Sequence, residues 1–243
     1  MKQFKNLFLV FLAVGALSLS SCLHIIEDVT FHKNGSGTYK MTLDMSEIKG
    51  MMEMMKGMGG DSTAAAAGMA GGLPDNSMSQ MGEQLSSVAA TIKGVQGISN
   101  VSEVNDTAAF KFGYAFDFAD VNALNRALKI INKDKFESKT DEIYKFDGKN
   151  FERTADGDIG AQMKKSLADN SGEEAENMDM MKTFFADMSY KQVYHFADQK
   201  IKKNSNELGV LSDEEQTYTI ELKPFNEEQA QKKVTVATKL KVK

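Results

Sequence analysis

Apolar and polar positions alternate with period two through much of this chain, which predicts strands. In "EDVTFHKNGSGTYKMTLDMS", Val29 and Phe31 share one face and "NGSG" turns the chain. Tyr39, Met41, Leu43 and Met45 resume the apolar face, with Lys40, Thr42 and Asp44 opposite. Asn followed by Gly supplies the positive φ of a tight hairpin turn. The most apolar strand is "AFKFGYAFDFAD", where Phe110, Phe112, Tyr114, Phe116 and Phe118 fall at every second position. Period two places all five rings on one face. Gly113 and Ala115 lack bulk on the other face, which suits a bend or a close neighbour.

Helical spacing takes over between the strands. "DVNALNRALKIIN" predicts an amphipathic helix with Asp120 as N-cap and Val121, Leu124, Leu128 and Ile131 inward. A short helix capped by Ser46, a second over about 81–94 and a third over 176–188 are also expected. "EIYKFDGKNFER" predicts a second hairpin around Asp147-Gly148, and further strands are expected near 190–197, 217–223 and 233–242. The stretch 57–79 is rich in Gly, Ala, Ser and Met with paired glycines, and is expected to be a flexible insertion. Together these elements predict one α+β domain over 22–243: a mostly antiparallel, curved sheet with two to four helices packed on one face.

The N-terminus follows a different grammar. Lys2 and Lys5 precede a run from Leu7 to Leu19 with almost no polar interruption, and small serines follow. That order is the n-region, h-region and cleavage site of an export signal. The run is shorter than the roughly 20 residues that a membrane-spanning helix needs. Leu19-Ser20-Ser21-Cys22 then resembles the lipobox of the bacterial lipoproteins: an aliphatic residue, two small residues and a cysteine. The resemblance implies a signal peptide over 1–21, cleavage between Ser21 and Cys22, and acyl chains, palmitate among them, on Cys22. A single acyl chain holds a membrane marginally, whereas two or three hold it stably. Leu23 stands where an aspartate would retain such a protein at the inner membrane, so the resemblance favours the outer membrane in a cell that has one.

Composition narrows the function classes. Cys22 is the only cysteine, so an internal disulfide is excluded and an ordinary core must carry stability. Loss of the two signal lysines would take the net charge from −5 to −7, with 27 basic and 34 acidic residues left. Mild acidity without a Lys/Arg block argues against nucleic acid. There is no GxSxG, HExxH or phosphate-binding glycine loop, and no cofactor is expected. His24, His32 and His195 are too scattered for a zinc site, so no metal is expected either.

Two features carry alternative readings. Phe110, Phe112, Tyr114, Phe116 and Phe118 form either the core face of a central strand or the lining of a cavity for an apolar ligand such as a lipid. The methionines clustered between 51 and 81 either pack helices or form an adaptable apolar surface that meets acyl chains or a partner.

The hairpin "VTFHKNGSGTYKMTLDM" and the later "YHFADQKIKKNSNELGVLSDEEQTYTIEL" together resemble the LppM-like envelope lipoproteins. That resemblance implies an α/β fold with a curved sheet and helices, and binding of membrane lipids or glycolipids. The chain departs from the group in lacking a C-terminal transmembrane helix and in carrying the Met/Gly/Ala insertion. The expectation is a non-enzymatic, lipid-anchored cell-envelope protein with an apolar ligand. The alternative is a structural or interaction subunit of an envelope complex.

Overall fold

The structure is a computed structural model, and it describes residues 23–47, 49, 75–132, 142–154, 188–226, 229 and 237–243. The expected signal peptide with Ser21 and Cys22, most of the 57–79 insertion and all of the expected 176–188 helix but Met188 lie outside the described residues.

The first hairpin forms as its pattern predicts. β1 (His24–Phe31) and β2 (Gly37–Asp44) pair antiparallel with Val29 opposite Tyr39. A helix, α1 (Asp75–Ile92), leads into β3 (Ile98–Asp106) and β4 (Lys111–Phe118), and β4 pairs with both β3 and β2. α1 starts at Asp75, so the last residues of the expected insertion are helical. α2 (Val121–Asn132) begins where Asp120 Oδ1 accepts the Ala123 amide at 2.7 Å, the expected N-cap.

β5 (Tyr144–Phe146) and β6 (Asn150–Arg153) make the second hairpin. Gly148 takes φ 83° at its turn, and Asp147 Oδ1 accepts the amides of Lys149 and Asn150 at 2.8 and 2.7 Å. β7 (Ser189–Phe196), β8 (Ile201–Asn204), β9 (Val210–Leu211), β10 (Thr217–Leu222) and β11 (Thr238–Val242) complete the order.

These strands form two sheets rather than the single sheet expected. One has seven strands in the order β3-β4-β2-β1-β7-β10-β9, and the other has four in the order β5-β6-β11-β8. All pairings are antiparallel except β1 with β7. The α+β class with mostly antiparallel pairing therefore stands, with two helices of eight or more residues among the described residues.

Register builds the inner face of the seven-stranded sheet in rows. Phe116, Tyr39, Val29, Tyr194 and Tyr218 lie side by side, as do Tyr114, Met41, Glu27, Gln192 and Ile220. A further row, Phe112, Leu43, Ile25, Tyr190 and Leu222, lies toward the end where β1 begins. Ala89 and Ile92 of α1, Ala123, Leu124 and Leu128 of α2, and Tyr144, Phe151, Ile201, Leu240 and Val242 of the smaller sheet join the inner face in one buried cluster. Burying this apolar surface drives the assembly at about 25 cal/mol per Å². The opposite face of the large sheet carries Lys40, Asp28, His195 and Thr217, of which Lys40 is exposed and the others are half-buried.

Candidate functional site

The aromatic stripe of β4 lies where its spacing places it, with one exception. Phe112, Tyr114, Phe116 and Phe118 are buried on the inner face. Phe116 stacks on Tyr39 at 5.0 Å, Tyr114 on Tyr39 at 6.3 Å, and Phe118 meets Phe31 edge-on at 5.6 Å. These rings therefore find partners on neighbouring strands, and such pairs add about 0.5–1.5 kcal/mol beyond burial.

Phe110 leaves the pattern. It precedes β4, takes φ 53°, and is half-buried at the tip of the β3–β4 turn, where its carbonyl accepts the Met45 amide at 2.9 Å. The left-handed backbone ends the extended run at this residue, so Phe110 stands outside β4. Phe110 and Phe112 pack with Met45, Leu23, Leu43 and Leu85 in a separate small cluster at the end where β1 begins. The five rings thus fall into two groups: Tyr114, Phe116 and Phe118 in the main core, Phe110 and Phe112 in the small one.

Gly113 has the close neighbour its lack of bulk suggests. A Cβ built there would fall 1.9 Å from the Met41 carbonyl oxygen of β2, so no side chain fits.

At the centre of the inner face lies a polar constellation that the sequence reading missed. Glu27, on β1, is 3% exposed. Its carboxylate accepts the hydroxyls of Tyr144 and Tyr190, the Gln192 amide at 3.2 Å, and the Arg153 guanidinium at 3.5 Å. Arg153 Nη2 also donates to the Tyr190 hydroxyl at 3.3 Å, and its guanidinium carbon lies 5.7 Å from the centre of the Tyr144 ring. Tyr144 and Arg153 come from the four-stranded sheet, whereas Glu27, Tyr190 and Gln192 come from the seven-stranded one. The network therefore clasps the two sheets together.

Charge and burial oppose each other here. Burial alone would raise the Glu27 pKa, but the Arg153 charge and the donors from Tyr144, Tyr190 and Gln192 outweigh it and hold the carboxyl below its ordinary value. Burial first, and then the Glu27 charge, push the Tyr144 and Tyr190 phenols far up, so both stay protonated as donors. Arg153 Nε and Gln192 Oε1 make no hydrogen bond among the described residues. A buried carboxylate held by three neutral donors and an arginine is arranged for holding; it presents no reactive atom to solvent.

A signal for Glu27 existed in the parity of the strand. It shares its face with Val29 and Phe31, and Arg153 shares its face with Phe151, so both are polar residues at inward positions.

The histidines are dispersed. His24 Nδ1 lies 2.7 Å from Ser189 Oγ, His32 pairs with Asp198 at 3.2 Å, and His195 lies between Asp28 at 3.4 Å and Thr217 at 2.9 Å. Among the described residues no three His, Cys, Asp or Glu side chains gather as a metal site. No helix among them is long and apolar enough to cross a membrane.

No protein-family model matches the sequence, and a comparison with curated proteins finds no match. Among solved structures, the chain is similar to the NMR structure of the folded domain of LppM from Mycobacterium tuberculosis. The similarity covers 91% of this chain and 89% of that one, at 9% identity and a TM-score of 0.38.

Proposed function

We propose that this chain is a non-enzymatic cell-envelope lipoprotein, anchored through acyl chains on Cys22. The observation that carries the proposal is Leu19-Ser20-Ser21-Cys22 placed directly after an apolar run with a basic start. The polar constellation supports the non-enzymatic part, because its carboxylate is buried and all its partners are structural donors. Replacing Cys22 with Ala is expected to move the protein from the membrane to the soluble fraction, with the acyl mass lost from intact-protein spectra. A wild-type mature chain that carries no acyl mass overturns the proposal.

An apolar ligand, such as a lipid, is the second part of the proposal. Its place is the small cluster around Phe110 and Phe112, where Phe110, Leu23 and Leu43 are only half-buried. Native mass spectrometry of the purified protein is expected to show a retained lipid. A ligand-free protein that co-purifies instead with one stoichiometric envelope protein would favour the interaction subunit.

A further inference from the structure

We propose that the end of the domain where β1 begins lies directly against the bilayer, held there by a tether too short to let the domain turn away. The inference rests on the lipidation of Cys22 proposed above. Consecutive Cα atoms are about 3.8 Å apart, so the lipid-bearing residue sits within one step of Leu23.

Leu23 is already part of the fold. Its carbonyl accepts the Ser189 amide at 3.1 Å, its side chain packs against the Met45–Phe112 cluster, and His24 is tied to Ser189 Oγ at 2.7 Å. Lipoprotein domains on long flexible linkers are free to tumble above the membrane. Here the anchor continues straight into β1, which has β2 on one side and β7 on the other near the middle of the large sheet.

The end of the sheet beside the anchor carries a partly exposed apolar cluster that suits this placement. The β3–β4 turn comes down at the anchored end, two strands or about 10 Å from β1. Its tip is Thr107-Ala108-Ala109-Phe110, uncharged, with Thr107 and Ala108 exposed. Beside it lie half-buried Leu23, Ile25 and Leu43; the charges around them are Asp44, paired with Lys111 at 2.8 Å, exposed Asp106, whose carboxylate accepts the Ala109 amide at 2.8 Å, and Lys49, whose Nζ donates to the Ala108 carbonyl at 2.5 Å. The opposite end, about 26 Å away along the eight residues of β1, is polar. It carries Lys33, Asn34, Asp147, Lys149 and Asp198, all exposed. A partly exposed apolar cluster beside the anchor, ringed by side chains of both signs, fits a bilayer interface in which apolar groups enter and charges stay at headgroup level.

The test uses full-length protein, processed in cells and confirmed as acylated by mass, in phosphatidylethanolamine–phosphatidylglycerol nanodiscs doped with a doxyl-labelled lipid. Amide signals of Leu23, Met45, Ala108, Phe110 and Ser189 are expected to be lost to relaxation. Those of Asn34, Gly148 and Asp198 are expected to remain. A variant with about ten Gly/Ser residues inserted between Cys22 and Leu23 is expected to stay in the membrane fraction but lose this end-selective pattern. Broadening of the far turns, uniform broadening, or a pattern unchanged by the insertion overturns the orientation while leaving the anchor intact. A protein without acyl mass overturns the anchor itself.

Discussion

Placing an unpaired carboxylate in a protein interior costs several kcal/mol, and Glu27 avoids that cost only because its partners arrive from two sheets. Removing one partner leaves the other charge stranded. Arg153→Ala is therefore expected to destabilise the fold by about 3–5 kcal/mol in urea titrations. The double change Glu27→Gln with Arg153→Met should cost much less than the two single changes summed. Additive losses would show that the pair is not coupled. His195 makes the opposite pH argument on the outer face. Its hydrogen bond to Asp28 raises its pKa, partial burial pulls the other way, and the rise prevails. The stability it contributes is complete below the ordinary imidazole value and is lost as pH rises through the raised one. Both groups are about a third exposed, so the effect is under about 1 kcal/mol. The melting temperature of His195→Gln should lie below wild type at acidic pH and converge with it at alkaline pH. A constant gap would assign the difference to packing rather than charge.

Elements with strong periodicity were legible in the sequence, and those without it were not. Both hairpins, β4 and α2 follow from spacing because each buries one face and solvates the other. β3 escapes because Ser99, Asn100, Ser102 and Glu103 give it almost no apolar face; it is an edge strand with a register shift between Ser99 and Ser102. The hairpin β5–β6 is legible, but its separation into a second sheet is not, because that rests on the long-range pairings of β11 with β6 and with the four-residue β8. Parity alone places Phe110 in the strand, and a positive φ has no such signature in a phenylalanine. At the site, Glu27 was legible by parity but hidden by its residue type, since a glutamate is expected to face water. For α2, where pattern and structure agree, the cap gives a direct test. Asp120→Ala removes the acceptor of the Ala123 amide and is expected to cost about 1 kcal/mol in chemical denaturation, whereas Asp120→Ser should retain most of it. Equal losses in the two variants would mean that the side chain acts on something other than the helix terminus.

At the scale of the molecule, the order of strands decides when the domain can become complete. Among the described residues β1 comes first, yet its partner β7 follows only after residues 32–188, and β11, which comes last, lies between β6 and β8 in the smaller sheet. Such distant pairings make folding slow, because loop closure must precede the contacts that reward it. They also make the C-terminus structural. Leu240 and Val242 are buried, and Lys243 exchanges two backbone hydrogen bonds of 2.9 Å with Lys200. Without β11 the strands β6 and β8 have no common neighbour, and β6 carries Phe151 and Arg153, one of them in the aromatic core and the other on Glu27. Deleting residues 238–243 should therefore release both sheets at once. The expected result is loss of a cooperative melting transition in circular dichroism. Replacing the exposed Lys239 and Lys241 with Ser should leave that transition in place. A truncated chain that melts cooperatively near the wild-type temperature would mean that the large sheet and its helices fold without the small one. The Glu27 clasp would then be an accessory to the domain and not its centre.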